Sequence, residues 1–189
     1  MNDQRITSLP KLPYDIPSSV TKQAANIKLA LFDVDGVLTD GSLRYSHDGE
    51  QIKVFNALDG HGLKMLQQAG IAVGVISARK SGALQTRLND LGIEHCYLGI
   101  NDKRSLFDKL IDDLSIKPEQ CAFTGDDVID LPVMNQCGLK FSVNNGHFIV
   151  KDIADWVTPM AGGSGAVRAV CDVILYSQGC YPLSHSSSQ

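Results

Sequence analysis

Asp33 and Asp35 stand two residues apart directly after an apolar run. They open the stretch Asp33-Val34-Asp35-Gly36-Val37-Leu38-Thr39-Asp40-Gly41. On an extended chain, residues so spaced point to the same side, so both carboxylates can converge at a strand's carboxyl end, where open α/β sheets bind ligands. Two such charges repel unless a cation or a proton is shared between them, which makes the pair a candidate for metal binding or proton transfer. The same residues could form an acidic turn that caps a helix. Alone, the pair leaves both readings open.

Three further features bear on the choice. Ser77 ends the apolar run 71–77, Lys103 opens a helical stretch, and Gly125-Asp126-Asp127-Val128-Ile129-Asp130 follows the run at Cys121. Taken singly, Ser77 reads as a helix cap, Lys103 as a solvated charge and Asp126-Asp127 as a capping pair. All four features lie at strand ends or in the loops just after them, so a parallel sheet would gather them at one edge. Coincidence at four strand ends is far rarer than any one of those local explanations.

The elements that must position these residues follow from the hydrophobic pattern. Short apolar runs recur at 27–32, 71–77, 121–124, 139–143 and, more weakly, 155–158. They lack strict alternation, as strands covered on both faces do. Between them, apolar residues recur at helical spacing, as in Leu84, Leu88 and Leu91 or Leu106, Leu110 and Leu114, with Gly70 and Gly92 placed to end two of the helices. Strands alternating with helices predict a Rossmann-like parallel sheet with helices on both faces. One segment breaks the alternation. Residues 41–56 carry Leu43 and Tyr45 before a His47-Asp48-Gly49 turn and Ile52 and Val54 after it, the pattern of a β-hairpin inserted after the first strand.

A chain of 189 residues suits one domain with a well-buried core. Its 43% hydrophobic and 20% charged residues exclude the disordered and fibrous classes. The net charge of -4 offers no basic field for nucleic acid. No apolar stretch approaches the roughly 20 residues of a membrane span, so neither partner is expected. Five cysteines without a CxxC pair, and the lack of a signal-peptide-like apolar block before residue 27, predict a reduced, cytoplasmic protein. Pro10, Pro13 and Pro17 predict a poorly ordered arm over residues 1–26, and the Ser-rich end a flexible tail over 180–189. The five histidines show no ligand spacing, His61 and His147 read as turn or rim residues, and Trp156 as a core or interface residue.

The order DxDGxxTDG, Ser, Lys, GDDxxD resembles the four-motif pattern of haloacid dehalogenase phosphatases, from Asp33 to Asp130. The likeness extends through Asn56-Ala57-Leu58-Asp59-Gly60, Ser77-Ala78-Arg79-Lys80 and Gly162-Gly163-Ser164-Gly165-Ala166-Val167-Arg168, over about residues 27–179. It points to the branch that acts on sugar-acid phosphates. That resemblance implies a capless phosphatase domain with Mg²⁺ as cofactor and a homotetrameric assembly. Asp33 would be the nucleophile, forming an aspartyl-phosphate, and Asp35 the general acid and then the base. Mg²⁺, which favours oxygen ligands, would be held by Asp33, Asp126 and the backbone carbonyl of Asp35. Ser77 and Lys103 would hold the phosphoryl oxygens, and Asp127 would steady Lys103 or the substrate.

The substrate would also meet Asp35, Asn56, Ala57, Leu58, Asp59, Gly60, Lys64, Arg79 and Arg87. Three cations beyond Lys103 exceed the needs of one phosphate and suggest a second anionic group, such as a carboxylate gripped by Arg. Departures from the family pattern are Ala78 in place of Gly, Ser164 in place of Arg, Lys64 in place of Arg, and the segment Asn144-Asn145-Gly146-His147. Other readings are a phosphatase for an acidic nine-carbon sugar phosphate, a receiver-like phospho-acceptor, and a catalytically silent oligomerisation module. In a receiver the acidic pair precedes the phospho-acceptor, whereas here it comes late. A silent relative would have lost Asp33, Asp35, Lys103 or Asp126.

Overall fold

The computed structural model describes residues 11–47 and 49–181. Helix α1 (Ser18–Ala24) leads into β1 (Leu29–Phe32), followed by the short strands β2 (Arg44–Ser46) and β3 (Gly49–Ile52). Helix α2 (Ala57–Gln68), β4 (Ala72–Ser77), α3 (Gly82–Leu91), β5 (His95–Leu98) and α4 (Lys103–Leu114) come next. The chain continues through β6 (Cys121–Gly125), α5 (Leu131–Met134), β7 (Leu139–Ser142), α6 (Phe148–Ile153), β8 (Trp156–Val157) and α7 (Ala166–Ser177).

Six strands form one parallel sheet in the order β5-β4-β1-β6-β7-β8. The chain winds outward from β1 through β4 to β5, then crosses to β6 and winds the other way. A crevice therefore opens at the carboxyl ends beside β1, where α/β sheets bind ligands. Along β1, Ala30 and Phe32 enter a core with α1, α2, α3 and α7, while Leu29 and Leu31 enter a second core with α4, α5 and α6. Burial on both faces explains why the runs show no alternation.

The hairpin stands apart from this sheet. β2 and β3 pair antiparallel with each other in a separate two-stranded sheet. Strand β5, absent from the sequence-based expectation, is an edge strand whose four residues are all half-buried. The expected loose arm is corrected from residue 11 onward, where Leu12, Tyr14 and Ile16 pack against the core. Pro17 is the N-cap of α1, the Val20 and Ala24 side chains are buried against the core, and Trp156 Nε1 donates to Asp15 O at 3.0 Å. Pro17 stands directly before the helix, where a missing N–H costs nothing. The remainder of the arm, 1–10, and of the tail, 182–189, lies outside the described residues. The five cysteines are free, with Cys121, Cys137 and Cys171 buried. Among the described residues no helix is long and apolar enough to cross a membrane.

Candidate active site

Sheet register brings the acidic motifs together. Phe32 lies opposite both Val75 on β4 and Thr124 on β6, and Asp33 N donates to Thr124 O at 3.0 Å. Asp33, Ser77 and Asp126 consequently leave the sheet at one edge. The loop after Asp33 folds around Thr39, a buried hydroxyl that accepts from the amides of Gly36 (3.4 Å) and Gly41 (3.2 Å). Gly36 sits at φ +102°, and a side chain there would collide with the Asp126 carboxylate. The DxDG turn thus needs a glycine for its backbone and for the approach of Asp126.

Lys103, the first residue of α4, reaches into this edge. It is 3% exposed, and its Nζ lies 2.5 Å from Asp33 Oδ1 and 2.7 Å from Asp130 Oδ1. Burial opposes its charge, but the two carboxylates outweigh that penalty and its pKa is raised. Asp130 is fully buried, and its other oxygen accepts from the amides of Asp126 (3.1 Å) and Asp127 (3.4 Å). Asp130 therefore shapes the GDD turn and holds the lysine. From the sequence, Asp127 is expected to steady Lys103 or the substrate, and the structure bears on the first of these. Lys103 is held by Asp130 instead, while Asp127 is exposed and its Oδ1 caps the following turn by accepting from Val128 N at 2.7 Å. The signal for Asp130 was its spacing three residues after Asp127, which lets it fold back on the turn.

Asp33, Asp126 and Asp130 offer carboxylate oxygens that all lie within 4.8 Å of one another. Burial first, and then the neighbouring negative charges, push Asp33 up to about 7 and Asp126 up to about 8. Three carboxylates facing one lysine are short of positive charge. A hard divalent cation with oxygen ligands fits that deficit. The sequence-derived metal set shares Asp33 and Asp126 with this cluster. The third predicted ligand is the backbone carbonyl of Asp35, whose side chain is engaged by Lys53 Nζ at Oδ1 and lies 3.7 Å from Arg79 Nε at Oδ2.

The other predicted residues divide between two settings. Ser77 is 2% exposed, and its Oγ accepts from Arg79 N at 3.2 Å. Arg79 is exposed and also donates from Nη1 to Tyr45 OH at 2.8 Å, while Lys64 is exposed without a hydrogen bond or ion pair among the described residues. Asn56 caps α2 by accepting from Leu58 N at 2.8 Å; Ala57 and Leu58 are exposed beside it. Asp59 is 1% exposed and accepts from Arg168 N (2.8 Å) and Gly165 N (3.3 Å), so an α2 carboxylate caps the N-terminus of α7. Burial raises its pKa although those amides pull the other way. Gly60 leaves room for the half-buried Arg87 guanidinium, which donates to Asn56 O at 3.4 Å. The geometry thus gives Asn56, Asp59, Gly60 and Arg87 local structural contacts. The Gly162–Gly165 loop binds the anion supplied by Asp59, and Gly162 N donates to Asn145 Oδ1 at 2.9 Å.

A central β1 ending in Asp33 and Asp35, with Lys103 and a buried acidic turn beside it, is the layout of a haloacid dehalogenase-type hydrolase. The haloacid dehalogenase-like hydrolase family matches residues 99–170. The 3-deoxy-D-manno-octulosonate 8-phosphate phosphatase of Escherichia coli K12 is 43% identical over 164 residues, 87% of each chain. The crystal structure of the Moraxella catarrhalis phosphatase of that name, in complex with magnesium, phosphate and KDO, has a TM-score of 0.82 and 39% identity, covering 85% of this chain and 92% of its own. The cobalt-bound Haemophilus influenzae phosphatase has a TM-score of 0.81 and 44% identity, covering 83% and 92%. The chain belongs to the 3-deoxy-D-manno-octulosonate 8-phosphate phosphatase family of these hydrolases.

Proposed function

We propose that the protein hydrolyses 3-deoxy-D-manno-octulosonate 8-phosphate to the free sugar acid and phosphate, through an aspartyl-phosphate on Asp33. The observation that carries this reading is the buried Asp33 carboxylate: Oδ1 is held by Lys103, while Oδ2 has no hydrogen-bond partner among the described residues. Relatives at 43% identity that carry this name support the substrate. Asp33 and Asp126, with the backbone carbonyl of Asp35, would hold Mg²⁺, which when bound offsets the negative charge of carboxylates and phosphate.

Asp33 attacks phosphorus, the bond to the sugar oxygen breaks, and Asp35 delivers a proton to that oxygen. Lys103 and the Ser77 hydroxyl hold the phosphoryl oxygens throughout. Asp35 then takes a proton from water, which attacks the aspartyl-phosphate. Phosphate leaves, Asp33 is regenerated, and Asp35 is again protonated. Arg79, beside Asp35, and Lys64, exposed on α2, would meet the sugar-acid carboxylate; Asn56, Ala57, Leu58, Asp59, Gly60 and Arg87 would form the adjoining wall, with Asp127 at its border.

Residues 27–179 would form one capless phosphatase domain, and the free cysteines fit a reducing, cytoplasmic setting. A homotetramer is part of the same reading. Leu43 (38% exposed), Tyr45 (59%), Ile52 (54%) and Val54 (58%) give the hairpin an apolar surface that a two-stranded ribbon cannot bury alone. Light scattering of a fully active monomer at nanomolar concentration would refute the assembly. The function is tested by phosphate release across sugar phosphates with and without Mg²⁺. The expected result is Mg²⁺-dependent release with the eight-carbon acid preferred. Preference for a nine-carbon sugar acid would instead select that alternative substrate.

A further inference from the structure

Asp35 sits between two cations, and they differ in setting. The Lys53 side chain is 2% exposed, whereas that of Asp35 is 20% exposed and that of Arg79 48%. Lysine is among the residues least often buried without a partner. Here its ammonium is drawn beneath the Asp35 carboxylate and contacts Oδ1, so Lys53 forms part of the floor of the site and Arg79 part of its rim. Nothing in the proposed chemistry so far uses this buried lysine.

The position of Lys53 in the chain adds a second observation. It directly follows β3, at the base of the hairpin. Arg79, on the other carboxylate oxygen, is tethered to the hairpin through Tyr45 OH at 2.8 Å. Both cations flanking Asp35 are therefore linked to the hairpin, through positions 45 and 53. Asp33, by contrast, is held by α4 and β6, from the body of the fold.

A carboxylate that must pass a proton to a leaving oxygen has to keep one oxygen pointed at it. A charge-assisted hydrogen bond to the other oxygen is a means of fixing that orientation. We propose that Lys53 is a positioning residue for the general acid: it anchors Asp35 through Oδ1, while Oδ2, which faces the exposed Arg79 at 3.7 Å without a hydrogen bond to it, is turned to the leaving oxygen, so that the hairpin is the element that sets leaving-group protonation. The inference rests on the role of Asp35 in the proposed function. It separates two tasks within one motif, since Asp33 takes its geometry from the sheet and Asp35 takes its geometry from the insertion.

The test uses the full-length protein with Mg²⁺ and compares two leaving groups in the first turnover. The sugar alkoxide needs a proton to depart, whereas p-nitrophenolate does not. Lys53→Met keeps the length of the buried stem and removes the ammonium, and Lys53→Arg restores a donor. In Lys53→Met, first-turnover release of the sugar acid is expected to slow by about 10- to 100-fold, the range of a misplaced general acid. KM for the sugar-acid phosphate should stay within about twofold, and the p-nitrophenolate burst within about threefold, because neither depends on the acid. Lys53→Arg should recover most of the loss. Equal slowing of both bursts in a folded Lys53→Met protein, or no recovery in a folded Lys53→Arg protein, would overturn the inference while leaving the proposed function standing. A wild-type protein that does not hydrolyse the sugar-acid phosphate would overturn both.

Discussion

The edge that handles phosphate and the hairpin beside it solve opposite problems. Around Asp33, buried charges find partners inside the chain but leave an acidic excess: Lys103 meets Asp33 and Asp130, Asp130 in turn meets the amides of the GDD turn, and Asp126 adds a third carboxylate. Around the hairpin, Tyr45, Ile52 and Val54 are each more than half exposed. The first region is complete within one chain apart from a cation. The second presents an apolar surface and touches the chemistry through Lys53 and Tyr45. In the proposed mechanism, phosphoryl transfer is assembled by one sheet edge, while reading of the leaving group falls to an element whose apolar surface is exposed in the single chain.

The largest effect should come from Asp33→Asn. The amide nearly fills the carboxylate's volume but cannot form the acyl-phosphate, so turnover should fall by at least about 1000-fold with the melting temperature little changed. Retention of more than a few per cent of activity would place the nucleophile elsewhere and dissolve the contrast between the two regions.

Removing the cation should expose the charge imbalance of the first region as a pH effect. Asp33 at about 7 and Asp126 at about 8 both lie above the ordinary carboxylate value of 3.8, raised first by burial and then by the neighbouring carboxylates. In the metal-free protein the folded state binds these protons more tightly than the unfolded one. Their contribution to stability is present below about pH 4 and is lost as pH rises towards about 8. The melting temperature of chelated protein should fall between pH 6 and pH 8.5, and Mg²⁺ should raise it more at the higher pH. A Mg²⁺ shift of equal size at both values would contradict the assigned cluster.

Arg79→Ala should weaken kcat/KM for 3-deoxy-D-manno-octulosonate 8-phosphate by about 1.5 to 3 kcal/mol, the scale of a lost charged hydrogen bond, with p-nitrophenyl phosphate changed little. Equal losses on both substrates would assign Arg79 to the phosphate or the fold. The smallest change is expected for Tyr45→Phe, which removes one exposed hydrogen bond to Arg79. It should cost the sugar-acid phosphate at most about 1 kcal/mol in kcat/KM, and a larger loss would mean that the hairpin governs Arg79 more strongly than this single contact implies.

The same division decides what was legible in the sequence. The apolar runs that became β1, β4, β6 and β7 are covered on both faces, so their composition announces them. Asp33, Ser77, Lys103 and Asp126 could be grouped because each lies at or just beyond a strand end, a position fixed by topology. The edge strand β5 has no buried face to mark it, and α1 is obscured by the prolines that precede it. Asp130, Lys53 and Asp59 act through partners 27, 18 and 106 to 109 residues away, respectively, and such contacts leave no local periodicity.

The covalent step at Asp33 separates the proposed mechanism from every other route to phosphate release. Rapid quenching of the Mg²⁺-loaded protein with its sugar-acid phosphate, followed by peptide mass spectrometry, would locate the phosphoryl group. The predicted result is a hydroxylamine-sensitive phosphate on the peptide containing Asp33, absent in Asp33→Asn. A phosphate on Asp126 or Asp130, or release of phosphate with no labelled peptide under conditions that trap an acyl-phosphate, would contradict it.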